Sequence, residues 1–154
     1  MTATAITQLT DHVDMLCRRA APAKRTLALS SDGQRKRALL SAADALLAAE
    51  TEIITANAKD LEQGQRDGLS SAMLDRLTLD AKRLAHVVRD VRAIADLPDP
   101  VGKVLEDRAI AQGVRMRKIA VPIGVVVIIF ESRPNVTVDA AALCLRSGNA
   151  CILR

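Results

Sequence analysis

The sequence predicts an α/β chain in three parts: a helical segment over residues 1–97, an extended strand arm over 98–121, and a β-α-β unit over 122–154. Three observations carry this. Up to Ala95, apolar residues recur mostly at three- and four-residue spacings, the period of helices with one buried face. Leu97-Pro98-Asp99-Pro100 then stops any helix, because the prolines and the residues before them avoid helical geometry. Beyond that break, Val125-Val126-Val127-Ile128-Ile129-Phe130 is a continuous apolar run rich in β-branched residues, as in a strand covered on both faces of a parallel sheet.

Taken in order, residues 5–21 place Ile6, Leu9, Val13, Leu16 and Cys17 near one helix face. Pro22 interrupts this helix or opens a second piece over Ala23–Leu29. Ser30-Ser31-Asp32-Gly33 is a break with capping candidates. One long helix is expected over 32–63, with Leu39, Ala43, Leu46, Glu50, Ile53 and Ile54 at helical spacing and Gly64 and Gly68 ending it. Ser70-Ser71 caps a short helix over 72–77. Asp80 caps another over 81–95, whose stripe is Leu84, Val87, Val88, Val91, Ile94 and Ala95. These helices read as scaffold.

In the arm, 101–106 reads as a strand, 107–112 as a connector, and Val114-Arg115-Met116-Arg117 alternates as a half-exposed strand should. The two strands suit a hairpin. After the buried run, Pro134 suits the first turn of a helix that lasts to about Ser147, and Gly148-Asn149 can take the left-handed conformation that stops it. Ala150 begins a second strand.

Composition narrows the classes. In 154 residues there is one aromatic, Phe130, so cores must be built from Ala, Leu, Val and Ile, which favours helices packed through Ala faces. A net charge of +4 without aromatic platforms for stacked bases argues against nucleic-acid binding. Arg18-Arg19, Lys24-Arg25 and Arg35-Lys36-Arg37 could attract an acidic partner, but runs of this kind are ordinarily solvated helix faces. Arg115, Arg117 and Lys118 could meet a partner subunit or face water. Cys17, Cys144 and Cys151 lack paired spacing and sit at apolar positions, which predicts structural burial rather than catalysis. His12 and His86 are isolated, so no metal site is expected. The longest apolar run, 119–130, is broken by Pro122 and Gly124 and is too short to span a bilayer. Asp11 and Asp14 rule against a secretory signal, and a reducing, cytoplasmic setting is expected.

The elbow Glu131-Ser132-Arg133-Pro134-Asn135 carries the functional weight. Two charged residues flank Ser132 directly after six apolar ones, at the carboxyl end of a strand, where open α/β sheets bind ligands. The structural alternative is helix capping by Ser132 or Asn135, with Glu131 and Asp139 near the positive helix end. The two readings coexist, since a helix N-terminus is also a natural anion site.

Pro122-Ile123-Gly124, the string Glu131-Ser132-Arg133-Pro134-Asn135-Val136-Thr137, and Ser147-Gly148-Asn149 together resemble the gamma-glutamyl phosphate reductases of the aldehyde dehydrogenase superfamily. The resemblance extends over the whole chain and over roughly the first third of such an enzyme. It implies a Rossmann-like nucleotide-binding domain begun at 122–154, and NADPH-dependent reduction of glutamate 5-phosphate to the semialdehyde in proline biosynthesis. In that scheme a cysteine thiolate attacks the acyl phosphate and the resulting thioester accepts hydride. The family's nucleophilic cysteine falls beyond Arg154, so none of the three present takes that role.

The resemblance also distributes roles. Ser132 stands where most of the superfamily has an asparagine that holds the oxyanion; Ser132, Asn135 or a backbone N–H would do so here. Arg133 would meet an anionic group of glutamyl phosphate. Glu131, Ser132 and Arg154 would border the cofactor, and a positive charge at Arg154 suits the 2′-phosphate of NADPH. A homo-oligomeric full-length form and functional coupling to glutamate 5-kinase are further implications. A chain ending on Leu153-Arg154 inside an apolar strand is expected to be a fragment, without reductase activity alone. Two other readings stand beside this one: another NAD(P)-dependent aldehyde dehydrogenase branch, and a non-catalytic helical interaction module.

Overall fold

The computed structural model describes the backbone of residues 3–154 and side chains from residue 10 onward, so the predicted contributions of Ile6 and Leu9 lie outside the described side chains. Five helices come first: α1 (Ala3–Leu29), α2 (Asp32–Ala48), α3 (Glu50–Arg66), α4 (Ser71–Leu77) and α5 (Ala81–Asp96). β1 (Val104–Ala109) and β2 (Arg115–Ile119) follow, then β3 (Val125–Ile128), α6 (Pro134–Arg146) and β4 (Ala150–Leu153).

The helical segment forms as expected, with three local differences. α1 runs through Pro22 without a break. Pro22 is exposed, so the carbonyl freed one turn earlier can bond water, and packing of α1 along β4 holds the helix together. The long helix is split at Ala49, whose φ of −93° and ψ of 10° close α2 and open α3. Gly64 does not end a helix. It lies buried inside α3, where an added Cβ would sit 2.9 Å from Leu69 and 3.2 Å from Leu74. It is the close-approach point for α4.

Capping agrees closely with the sequence. Ser31 and Gln34 form a reciprocal capping box on α2, and Ser70 and Asp80 cap α4 and α5 through the backbone N–H groups of Met73 and Arg83. The core is the meeting of α2, α5 and α6: Leu39 and Ala43 against Val88, Val91, Ala95 and Ala142. Alanine at three of these positions lets the helices approach closely. Each fully buried Leu or Val there stabilises the fold by about 1.5–3 kcal/mol.

Two buried arginines join this core to the Leu97-Pro98-Asp99 break. Arg35, 2% exposed, donates from Nη2 to both carboxylate oxygens of Asp99 at 2.7 and 2.8 Å. Arg146 donates to the Leu97 carbonyl and to Asp32. The expectation of a solvated Arg35-Lys36-Arg37 face therefore fails at Arg35, and Lys36 pairs with Asp96 at 2.7 Å.

The arm is an antiparallel hairpin in which Arg108 faces Met116 and Asp107 faces Arg117. Its first strand starts three residues later than the expected 101 and takes in part of the predicted connector. Every residue of β1 is exposed, and in β2 only Met116 is partly covered. The half-buried pattern read from Val114–Arg117 does not appear, because neither face is covered. Arg115 and Arg117 both bind Asp107 across the hairpin.

β3 and β4 pair in parallel, Val125 opposite Ala150 through Ile128 opposite Leu153. Beyond the regular ladder, Phe130 N donates to Arg154 O at 2.8 Å and Arg154 N to Ile128 O at 3.0 Å. The predicted burial of this strand on both faces is not observed: Val127 is 58% and Ile129 79% exposed. Among the described residues β3 has one strand neighbour, so one of its edges is free.

Candidate functional site

The β3–α6 elbow is built by three local choices. Ser132 has a φ of +51°, a left-handed conformation that costs a non-glycine residue about 1–2 kcal/mol and turns the chain sharply out of the strand. Arg133 occupies the N-cap position and Pro134 the first helical one. No side chain caps α6, so neither Ser132 nor Asn135 plays the capping part that was the structural alternative.

The other end of α6 closes as a Schellman motif. Asn149 N donates to Cys144 O at 2.8 Å, and Gly148 N to Leu145 O at 3.1 Å. The buried Asn149 side chain then accepts from Gly124 N at 2.8 Å and donates to Ser147 Oγ at 2.9 Å. This ties the entrance of β3 to the entrance of β4. The Ser147-Gly148-Asn149 signature thereby acquires a structural reason.

The elbow opens onto a cleft of about 430 Å³ between α4, α5 and the start of α6. Arg133 and Asn135 line it from the elbow, and Asp75, Arg76, Arg83, His86 and Asp90 from the helices. Two constraints shape its far wall. Asn57 of α3, buried, donates to Leu77 O and accepts from Leu79 N, fixing the α4–α5 turn. Arg83 pairs with Asp75 and donates to Thr78 O at 3.0 Å. Among the described residues no ion pair involves Arg76, Asp90 or Arg133, so these charges stay open to a ligand.

Behind the cleft, burial pushes the Asp139 carboxyl above its ordinary range, the nearby Asp90 charge adds to this, and Asn135 opposes it. Its Oδ1 is buried without a hydrogen-bond partner. A larger gap of about 630 Å³ lies between α1, α6 and β4, but among the described residues Arg19 is the one charged group lining it.

Of the residues singled out from sequence, Arg133 and Asn135 meet in this cleft. Ser132 is half-buried at the turn itself, and Glu131 is exposed beside it. The Phe130–Arg154 backbone bond brings the exposed Arg154 to the same carboxyl edge of the sheet. Arg76, His86 and Asp90 were missed, because the helices before Pro98 read as scaffold. The available signal was on α5: Arg83, His86 and Asp90 recur at three- and four-residue steps, with Val87 beside them on one continuous face.

The cysteines stand apart from the cleft. Cys144 is buried, and its thiol is pushed up by burial and then by Cys151; burial likewise raises Cys151. Both are held as unreactive thiols at neutral pH. Cys17 is exposed, contrary to its expected burial, since the α1 face that carries it is not covered. Among the described residues no group of three or more His, Cys, Asp or Glu could hold a metal ion, and no helix is long and apolar enough to cross a membrane.

A helical layer packed on a parallel β-α-β unit, with a polar elbow at the strand end, is the N-terminal part of an aldehyde dehydrogenase-like fold. A probable aldehyde dehydrogenase from Listeria monocytogenes shares this fold over 93% of the chain and 29% of its own, with a TM-score of 0.63 at 18% identity. The closer likeness is to gamma-glutamyl phosphate reductases, whose N-terminal part the chain matches. The one from Novosphingobium aromaticivorans is 52% identical over 152 residues, 99% of this chain and 36% of that protein. The crystal structure of the Thermotoga maritima enzyme superposes with a TM-score of 0.85 at 34% identity, over 89% of this chain and 33% of that one. The chain thus spans about a third of the length of the curated relatives it matches. No protein-family profile matches it.

Proposed function

We propose that this chain forms part of an NADPH-dependent reductase that converts L-glutamate 5-phosphate to L-glutamate 5-semialdehyde and phosphate, in proline biosynthesis and in the cytoplasm. The observation that carries the reading is the 52% identity over 152 residues to a gamma-glutamyl phosphate reductase, which takes in the elbow and the cleft behind it. Coupling to the kinase that makes the acyl phosphate would follow from the lability of that substrate.

Arg133, exposed and without an ion-pair partner, suits the phosphate, because guanidinium matches phosphate oxygens bidentately. The Ser132 hydroxyl, held at the turn by its left-handed backbone, donates to the oxyanion that develops when the acyl carbon is attacked. Asn135, lining the same cleft, is the alternative donor. A nicotinamide cofactor bound at the strand ends would supply the hydride. Glu131, Ser132 and Arg154 share that edge, and a cation at Arg154 suits a 2′-phosphate and hence NADPH. The attacking thiolate comes from outside the cysteines described, none of which lines the cleft. The hairpin at 98–121, exposed on both faces and carrying exposed Val104, Leu105, Ile110, Val114 and Ile119, supports a subunit contact in a homo-oligomer.

The test compares Ser132→Ala with Asn135→Ala in the full-length enzyme. Loss of an oxyanion donor lowers kcat by about 10²–10³ with little change in KM. The expected result is that loss for Ser132→Ala alone. The same loss for Asn135→Ala alone would transfer the role, and normal turnover in both would remove side-chain stabilisation at the elbow.

A further inference from the structure

The cleft is charged asymmetrically, and this points past the phosphate to the rest of the ligand. Arg76, at the end of α4, is exposed and pairs with no acid among the described residues. Asp90, on α5, lines the same space and also has no cationic partner there. Close to Asp90 lies Asp139, with its buried, unbonded Oδ1. The Asp90 charge acts on Asp139, and neither acid has a cationic partner among the described residues, so a positive group in the cleft beside Asp90 is favoured. Of the other arginines that line the cleft, Arg83 is held by Asp75 and Thr78, and Arg133, at the elbow, is the one assigned to the phosphate. An unpaired arginine and an unpaired aspartate facing one cleft fit a ligand that carries both charges.

We propose that Arg76 and Asp90 form the specificity site for the α-amino acid head of the substrate, Arg76 taking its carboxylate and Asp90 its ammonium. This rests on the functional reading above and names the two residues that would restrict that reaction to an amino-acid substrate. The elbow then handles the reacting end, while α4 and α5 hold the other. A site built to bond a charged group rejects the analogue lacking it, because its own charge is left unpaired.

Three aldehydes separate the contacts in the full-length enzyme, assayed as phosphate-dependent oxidation. Glutamate 5-semialdehyde has both charges, 5-oxopentanoate lacks the ammonium, and 4-aminobutanal lacks the carboxylate. In kcat/KM, Asp90→Asn should lose about tenfold or more of the preference over 5-oxopentanoate and keep the preference over 4-aminobutanal. Arg76→Gln should show the reverse, and Arg76→Lys should recover part of it. This crossed pattern also guards against misfolding, since a damaged enzyme loses both preferences together. Unchanged preferences in both variants, or equal loss of both in each, would overturn the assignment while leaving the reductase reading in place. Failure of the unaltered enzyme to act on glutamate 5-semialdehyde would overturn both.

Discussion

Gly148 shows how much one residue can be asked to do. Its φ is +73°, and an added Cβ would lie 3.0 Å from Pro122 Cγ and 3.4 Å from Val101 Cγ2. Backbone strain and close packing therefore act at the same atom. Gly68 has nearly the same φ, +74°, with nothing within 4 Å. Gly68→Ala should cost about 1–2 kcal/mol from the backbone alone. Gly148→Ala should cost more, because Pro122 or Val101 must also move. Urea unfolding of the two variants checks this, and equal losses would mean that the Pro122 contact yields without cost. Ser132 bears the same left-handed strain without being glycine. Strain of that kind is kept where the surroundings over-determine it, and here it is kept at the elbow.

At the scale of elements, α6 carries a half-buried acid that works against it. The folded pKa of Asp139 is raised by burial and by Asp90, so the native chain holds this proton to higher pH than the unfolded chain does. Its contribution is most favourable below the ordinary Asp value of 3.8 and is lost as pH rises to the raised folded value. Asp139→Asn should accordingly raise the unfolding midpoint at about pH 7 and leave it nearly unchanged at about pH 3. Urea melts at the two pH values decide it; a variant destabilised at neutral pH would show that the carboxylate is paired after all. Asp96 shifts the other way, held low by its bond to Lys36 and by that charge, but on an exposed surface. The two cases mark the difference between a charge in the α5–α6 seam and one in water.

For the whole molecule, the decisive contacts are the buried arginines that bind the helical core to the chain leaving it. Asp99→Ala would leave the Arg35 guanidinium buried without its counter-charge, and would also remove the acceptor of Val101 N. Breaking a fully buried pair costs roughly 3–5 kcal/mol, and the partial exposure of Asp99 reduces this to about 2–3 kcal/mol. Asp44→Ala removes a geometrically similar pair with Arg92 at 2.8 Å, but on the surface, and should cost under about 1 kcal/mol. Added salt should narrow only the second loss. Thermal unfolding of both variants with and without salt measures the contrast, and similar losses would place Arg35 in contact with water.

By itself the sequence determined the kinds of elements, their order and most of their ends. Capping at Ser31, Ser70 and Asp80, the stripe on α5, the Gly148-Asn149 stop and the elbow at 131–135 are all set by residues within a few positions of one another. Backbone preference and hydrophobic period act over that range, so local order was legible. Tertiary structure alone decided what crosses between elements. Arg35 looked like part of a basic face until Asp99, 64 residues on, buried it. Val127 and Ile129 looked buried, but burial depends on how many neighbours a strand has. Arg76 and Asp90 looked like scaffold charges, and their meeting with Arg133 in one cleft depends on how α4, α5 and α6 pack. Periodicity records which face of a helix is apolar. It does not record which other face will stand opposite, and a binding cleft is made of such meetings.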